Sequence, residues 1–418
     1  MDSTSYRPQL SDIQRAKQRI ARVVVHTPLS KNFPLSERYG ADVRLKREDL
    51  QTVRSYKIRG AYNKIAGLSK EETARGVVCA SAGNHAQGVA FAARELGIEA
   101  KIFMPKPTPK QKIKQVKMFG RENAEIVLTG DTYDECCREA MAFCGEQGAT
   151  FIHPFDDPVV IEGQGTVGLD ILNDTEKPID YLFLPVGGGG LASGVSSVFR
   201  AISPETKIIG VEASGAASMK RSFEAGHRVA LEEIDTFADG IAVAEPGEIT
   251  FPICMAQLDD IVVVPEGKIC TTILELYNES AIVVEPAGAA SIAALSLMAD
   301  EIRGKNVVCI VSGSNNDITR MEEIKERSML YEGTKHYFIV RFPQRAGALR
   351  EFLENVLGPN DDITLFQYAK KSSREKGPAI VGIEVRQPED FEPLIERMKE
   401  RKIQHEYLND KPDLLRLI

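Results

Sequence analysis

No stretch of the 418 residues approaches the roughly 20 uninterrupted apolar positions that a membrane-crossing helix needs. The opening residues, Met1-Asp2-Ser3-Thr4-Ser5, hold no basic segment followed by an apolar block, so no secretory leader is expected. Positive charge is not in excess. Lys and Arg number 52 against 60 Asp and Glu, for a formal net charge of -8, which disfavours a nucleic-acid partner. The seven cysteines (Cys79, Cys136, Cys137, Cys144, Cys254, Cys270 and Cys309) form no C-x-x-C pair. Several lie in apolar runs such as Val77-Val78-Cys79-Ala80, so they read as reduced thiols of a cytoplasmic protein. Six scattered histidines, with no H-E-x-x-H, argue against a metal site. Low-complexity tracts and internal repeats are also missing.

What remains is a chain that is 43% hydrophobic, enough for two or three packed domains. Ser11-Asp12-Ile13-Gln14 fits a capping box opening a helix. Short apolar runs at Val77–Ala80, Ala100–Phe103, Glu125–Leu128, Tyr181–Pro185, Lys207–Val211, Asp260–Val264 and Asn306–Val311 read as buried strands. Most are separated by helix-length stretches such as Gln87–Leu96 and Thr132–Glu146. That alternation predicts an α/β fold with mainly parallel sheet, with ligands beyond the carboxyl ends of strands. Glu322–Arg327 reads as a charged helix end. Beyond it the order is strand His336–Phe342, helix Ala346–Val356, strand Ile363–Tyr368, polar loop Lys370–Gly377, strand Ala379–Val385, helix Glu389–Lys399, strand Ile403–Tyr407. This is a βαββαβ module of ferredoxin-like topology.

Chemistry concentrates in five places. Arg54-Ser55-Tyr56-Lys57-Ile58-Arg59-Gly60-Ala61 sets one lysine at a helix start. A lysine held neutral by burial condenses with carbonyls, whereas most lysines are solvated surface charges. Ser81-Ala82-Gly83-Asn84-His85-Ala86-Gln87-Gly88 follows a strand and opens a helix. It reads as a backbone anion site with an amide for a hydroxyl, or as an ordinary turn with an Asn cap. Pro185-Val186-Gly187-Gly188-Gly189-Gly190-Leu191 offers successive N–H groups to a phosphate. Val311-Ser312-Gly313-Ser314-Asn315-Asn316 ends a strand with adaptable hydroxyls, or caps a helix. Val284-Glu285-Pro286-Ala287-Gly288-Ala289-Ala290 is a turn, or it buries Glu285 beside a cofactor. A rival reading takes Gly187-x-Gly189-x-x-Ala192 as a dinucleotide fingerprint, with Glu212 as the ribose acid of a NAD-dependent dehydrogenase.

In order, S-Y-K-I-R-G-A, S-A-G-N-H-A-Q-G, G-G-G-G-L, V-E-P-A-G-A and V-S-G-S-N resemble the serine/threonine dehydratase group of fold-type-II pyridoxal-phosphate enzymes. With the C-terminal module, the chain resembles the short biosynthetic threonine dehydratases. The resemblance implies a tryptophan synthase β-like catalytic domain over 1–327, with two lobes, the smaller at about 43–155, and an ACT-like domain over 328–418. It implies pyridoxal 5'-phosphate bound to Lys57 as a Schiff base. Gly187, Gly188, Gly189, Gly190 and Leu191 would hold its phosphate, Asn84 its ring hydroxyl, and Ser312 its ring nitrogen. Ser81, Ala82, Gly83 and Asn84 would receive the substrate carboxylate. The implied reaction takes L-threonine to 2-oxobutanoate and ammonia, with Lys57 as the base at Cα. The alternatives are a serine-preferring dehydratase of the same fold, the dehydrogenase above, or an amino-acid sensor on a degenerate scaffold.

Departures from the family pattern sharpen these expectations. Tyr56 stands where Phe is frequent, and Ala82 stands where related racemases carry a proton-transferring serine. Gly210-Val211-Glu212-Ala213 keeps a glutamate that metal-binding relatives use, but Ser218 stands where a second acid is expected, so no metal is expected. Pro343-Gln344-Arg345-Ala346-Gly347-Ala348-Leu349 lies at the turn where ACT-like domains take amino acids. By resemblance the effector is isoleucine, as end-product inhibitor, and the enzyme a homo-oligomer with the tetramer favoured. The alternative is that the module only builds an oligomer interface.

Overall fold

The computed structural model describes residues 6–368 and 376–415. Most of the expected polar loop, Lys370 to Arg374 and Glu375, lies outside the described residues, as do the first five. The strands are β1 Leu29–Lys31, β2 Asp42–Arg47, β3 Val77–Ala80, β4 Ala100–Met104, β5 Ala124–Leu128, β6 Thr150–Phe151, β7 Tyr181–Pro185, β8 Lys207–Ala213, β9 Asp260–Val264, β10 Asn306–Val311, β11 Lys335–Pro343, β12 Asp362–Tyr368, β13 Lys376–Glu384 and β14 His405–Tyr407. All seven strands expected in the first 325 residues are present. The sequence pattern missed β1, β2 and β6; two of these have only three and two residues.

The chain divides into one compact unit through Ile318 and another from Thr319. In the first, a six-stranded sheet has the order β1-β2-β10-β7-β8-β9 and a four-stranded sheet the order β5-β4-β3-β6. Only β1 runs antiparallel to its neighbour. Strands buried on both faces explain the unbroken apolar runs: every residue of β3 and β7 is buried. The strand β2, inside the span expected for the smaller lobe, pairs with β10 in the larger sheet. The first helix, Leu10–Ile20, begins one residue before Ser11, with Gln9 at the cap position and no side-chain bond there. The expected capping box is therefore not formed; Ile13, Ala16 and Ile20 bury one face regardless. True boxes occur at Ser69/Glu72 and Thr132/Glu135.

Close packing fixes the helix that starts at Lys57. Helix Lys57–Ala66 lies against helix Pro158–Asp174, where a Cβ on Gly163 would fall 2.6 Å from the Arg59 carbonyl oxygen. Its first residue also meets helix Asn84–Leu96, where a Cβ on Gly88 would come 3.2 Å from the Lys57 carbonyl. The Gly163 contact admits no side chain, and the Gly88 contact admits one only if the backbone gives by a few tenths of an ångström.

In the second unit the charged Glu322–Arg327 segment forms the N-terminal part of helix Met321–Tyr331, with Glu322 and Glu323 in its first turn. An antiparallel sheet follows in the order β12-β13-β11-β14. With helices Ala348–Asn355 and Phe391–Glu400 it completes the βαββαβ module. Phe338, Phe342, Phe352, Val381, Leu394 and Met398 fill its core.

Candidate active site

Lys57 is the first residue of its helix. The loop before it is held by backbone pairing to the segment after β10. Tyr56 N–H donates to the Ser312 carbonyl (3.1 Å) and Ser314 N–H to the Arg54 carbonyl (2.9 Å), while Ser55 and Gly313 form a bridge. Arg54 takes a left-handed φ of 60° to make this turn. The Lys57 amine donates to the Pro154 carbonyl at 2.8 Å. Burial lowers its pKa to about 8, against the opposing charge of Glu285. Such an amine is free base in useful amount near neutral pH.

Asn84 is not a cap. Gly83 holds the cap position of helix Asn84–Leu96 and no side chain bonds there. The Asn84 amide is instead pinned at both ends: Nδ2 donates to Glu285 Oε1 (2.6 Å), and Oδ1 accepts from Asn315 Nδ2 (2.6 Å). Asn315 also donates to the Val53 carbonyl (2.9 Å) and, through its own N–H, to Glu285 Oε2 (3.2 Å). The buried option for Glu285 thus holds. Burial raises its carboxyl to about 7, helped by Asp239 and opposed by the bond from Asn84. Ser312 is buried and directly precedes Gly313, whose carbonyl accepts the Glu285 N–H at 3.2 Å. In the loop before Asn84, Gly83 N–H donates to Ser81 Oγ at 3.2 Å.

The glycine run links β7 to helix Gly190–Ile202, which starts without a side-chain cap. Phe155 explains why side chains are excluded: a Cβ on Gly188 would lie 2.4 Å from its ring, and one on Gly190 would lie 2.9 Å from its backbone. The Leu191 side chain is in the core, so only its main chain is free to serve a ligand. The dehydrogenase rival loses its acid here. Glu212 is buried and accepts the N–H groups of Met219 (2.9 Å) and Lys220 (2.7 Å), which ties it to a helix start. Ser218, the second metal-candidate position, is also buried.

Sequence reasoning assigned no role to the segment His153–Asp157, although it joins these parts. Pro154 meets the lysine, Phe155 meets the glycines, and Asp157 caps helix Pro158–Asp174. His153 Nδ1 accepts from the N–H groups of Phe155 (3.3 Å) and Asp156 (2.7 Å), so its proton lies on Nε2. His85 Nε2 lies 2.7 Å from the Ile152 carbonyl and must donate to it. Burial, then the Lys57 charge, lowers the His85 pKa to about 3, leaving a neutral ring behind the lysine. The dense His-Pro-Phe-Asp-Asp-Pro string was the available signal, but β6 is too short to announce it.

Residues 20–313 match the model of the pyridoxal-phosphate dependent enzyme family, and residues 326–418 match the C-terminal regulatory domain of threonine dehydratase. The chain is 57% identical over 410 residues to L-threonine dehydratase biosynthetic IlvA of Bacillus subtilis, covering 98% of this chain and 97% of that one. It is 51% identical over 411 residues to the protein of the same description from Staphylococcus aureus, at 97% of each. Among solved structures it resembles the processed form of threonine deaminase isoform 2 from Solanum lycopersicum, with TM-score 0.72, 42% identity, and 77% of this chain and 95% of that one covered. On these grounds the chain belongs to the pyridoxal-phosphate dependent enzymes, in the threonine dehydratase branch that carries a C-terminal regulatory domain.

Proposed function

We propose that this enzyme converts L-threonine to 2-oxobutanoate and ammonia, with Lys57 as cofactor tether and base. The observation that carries the reading is a buried amine of lowered pKa, hydrogen-bonded to Pro154, in a chain 57% identical to an L-threonine dehydratase. The residues fit the cofactor. An amine whose pKa is lowered to about 8 suits its aldehyde, and an uncapped helix start behind glycines that admit no Cβ suits its phosphate. When bound, pyridoxal phosphate supplies an electron sink for charge developing at the substrate Cα.

On this reading the chain's own groups divide the work. The backbone N–H groups of Gly187 to Leu191 hold the phosphate. Asn84, its amide fixed by Glu285 and Asn315, offers a remaining N–H to the ring hydroxyl. Ser312 would lie at the ring nitrogen. The Ser81–Asn84 backbone receives the substrate carboxylate, and the Lys57 amine takes the Cα proton. Ala82 carries no protonic group and so offers no base opposite Lys57, which favours elimination over racemisation.

The catalytic part spans about 1–327 with a smaller lobe near 43–155, and the regulatory part spans 328–418. The regulatory family match supports end-product control by isoleucine at the Pro343–Leu349 turn, where Gly347 takes a φ of 86°. A homotetramer in the cytoplasm completes the reading; no described helix is long and apolar enough to cross a membrane.

The test is 2-oxo acid release from threonine and serine, with and without isoleucine. Threonine should be turned over and isoleucine should suppress it; no 2-oxo acid from either substrate would end the proposal. A pH prediction follows from the amine. Lys57 is protonated below about 8 and free above it. Capture of pyridoxal phosphate by the cofactor-free protein should therefore accelerate as pH rises through about 8. A rate that is flat from pH 6 to about 9 would contradict the assigned nucleophile.

A further inference from the structure

Two donors converge on one carbonyl behind the glycine run. Thr250 Oγ1 donates to the Gly188 oxygen at 2.5 Å, and Gly247 N–H donates to the same oxygen at 3.4 Å. A peptide is planar and trans, so its C=O and N–H point in opposite directions. Anchoring the Gly188 carbonyl on Thr250 therefore turns the Gly189 N–H away from the Thr250 helix. Gly189 then takes a φ of 91°, the conformation that lets successive N–H groups face one anion. One turn further on, Cys254 Sγ lies 3.8 Å from the Gly189 carbonyl.

Thr250 is placed in turn by Asp156. Asp156 Oδ1 accepts the N–H groups of Ile249 (2.9 Å) and Thr250 (3.1 Å), and Oδ2 accepts that of Glu248 (2.9 Å). The carboxylate thus binds the start of helix Thr250–Gln257, where negative charge is favoured. A Cβ on Gly247 would come 2.1 Å from Asp156 Oδ1, so this closure requires glycine. Asp156 follows directly on Phe155, which backs Gly188, and on Pro154, which holds the lysine amine.

We propose that Thr250 and Asp156 are positioning residues that fix the Gly188–Gly189 peptide with its N–H toward the cofactor phosphate. The inference rests on the reading of the glycine run as a phosphate seat. It assigns neither residue a contact with substrate.

The experiment titrates the cofactor-free, full-length protein with pyridoxal phosphate and, separately, with pyridoxal, which lacks the phosphate. Thr250→Val replaces the hydroxyl with a methyl of similar size that cannot donate to the Gly188 carbonyl. It should weaken pyridoxal phosphate about tenfold, the value of one hydrogen bond, and change pyridoxal less than about twofold. Thr250→Ser should restore the phosphate-dependent part. Asp156→Asn, which keeps the shape but loses the charge, should shift the same ratio in the same direction. Equal weakening of both ligands, no weakening of either, or a serine variant as poor as valine would overturn the proposal. A wild-type protein that binds pyridoxal as tightly as pyridoxal phosphate would instead remove the phosphate seat itself.

Discussion

Replacing Lys57 with alanine should lower threonine turnover by at least about 10⁴-fold while leaving the cofactor-free protein no less stable. Two functions are lost together, the covalent hold and the proton transfer, and groups acting as a unit fail as a unit. The stability half follows from the amine's environment. Its pKa is lowered from 10.5 to about 8, so at pH 7 it is charged in the folded and the unfolded chain. Burial penalises that charge only in the folded chain. A lowered lysine pKa gives a contribution that is complete above 10.5 and lost as pH falls through about 8, so at pH 7 the ammonium is a net burden. Its removal should raise the melting temperature of the cofactor-free protein by about 1–3 °C at pH 7. The bond to the Pro154 carbonyl offsets part of this, since a buried acceptor is left alone. Mass spectrometry after reduction of the loaded proteins should find the cofactor fixed at Lys57 in the wild type and at no residue in the variant. Activity within about tenfold of wild type would remove Lys57 from the mechanism.

The parts of this site that were legible in the sequence are local ones. A lysine, four glycines and a strand-end serine each lie within a few residues of a strand or helix boundary, and such boundaries follow from apolar runs and glycine. Contacts between distant segments were not legible. Asn84 and Glu285 are 201 positions apart, and nothing at either position announces the other. Asp156 and Thr250 are 94 apart, and each alone looks like a routine cap or helix residue. Ser11 failed as a cap because the helix was free to extend back through Leu10 to Gln9. Packing of Ile13 and Ala16, rather than the cap, sets that helix. In the regulatory module the alternation of strands and helices was enough to give element order, and the pairing order follows from the common topology of such modules.

Arg59 carries the second large effect, through partners that are all protein groups. It lies two residues beyond Lys57, fully buried, where roughly no arginine is placed without partners. Its Nε and Nη2 donate to Glu48 at 2.7 Å each, Nη2 also reaches Asp170 at 2.8 Å, and Nη1 donates to Thr166 at 3.0 Å. Burial pushes the Asp170 carboxyl up, but Arg59 and then Lys17 overcome this and hold it below its ordinary 3.8. The cluster joins the lysine helix to the 3-10 turn Glu48–Leu50 and to helix Pro158–Asp174. Arg59→Met keeps much of the volume but leaves Glu48 and Asp170 buried with too little positive charge. The expected loss is about 3–5 kcal/mol, read as a shift in denaturant midpoint. Most of that loss is the exposed penalty of the abandoned carboxylates, so the double variant Arg59→Met/Glu48→Gln should lose less than the two single losses combined, by about 1–3 kcal/mol. The sign with pH is fixed by Asp170. A carboxyl of lowered pKa contributes fully above its unfolded value of 3.8 and loses that contribution as pH falls below it. The gap between wild type and Arg59→Met should therefore narrow on acidification through that range. A loss under about 1 kcal/mol, or additivity in the double variant, would mean that the helix bearing Lys57 is held by packing against Gly163 rather than by charge.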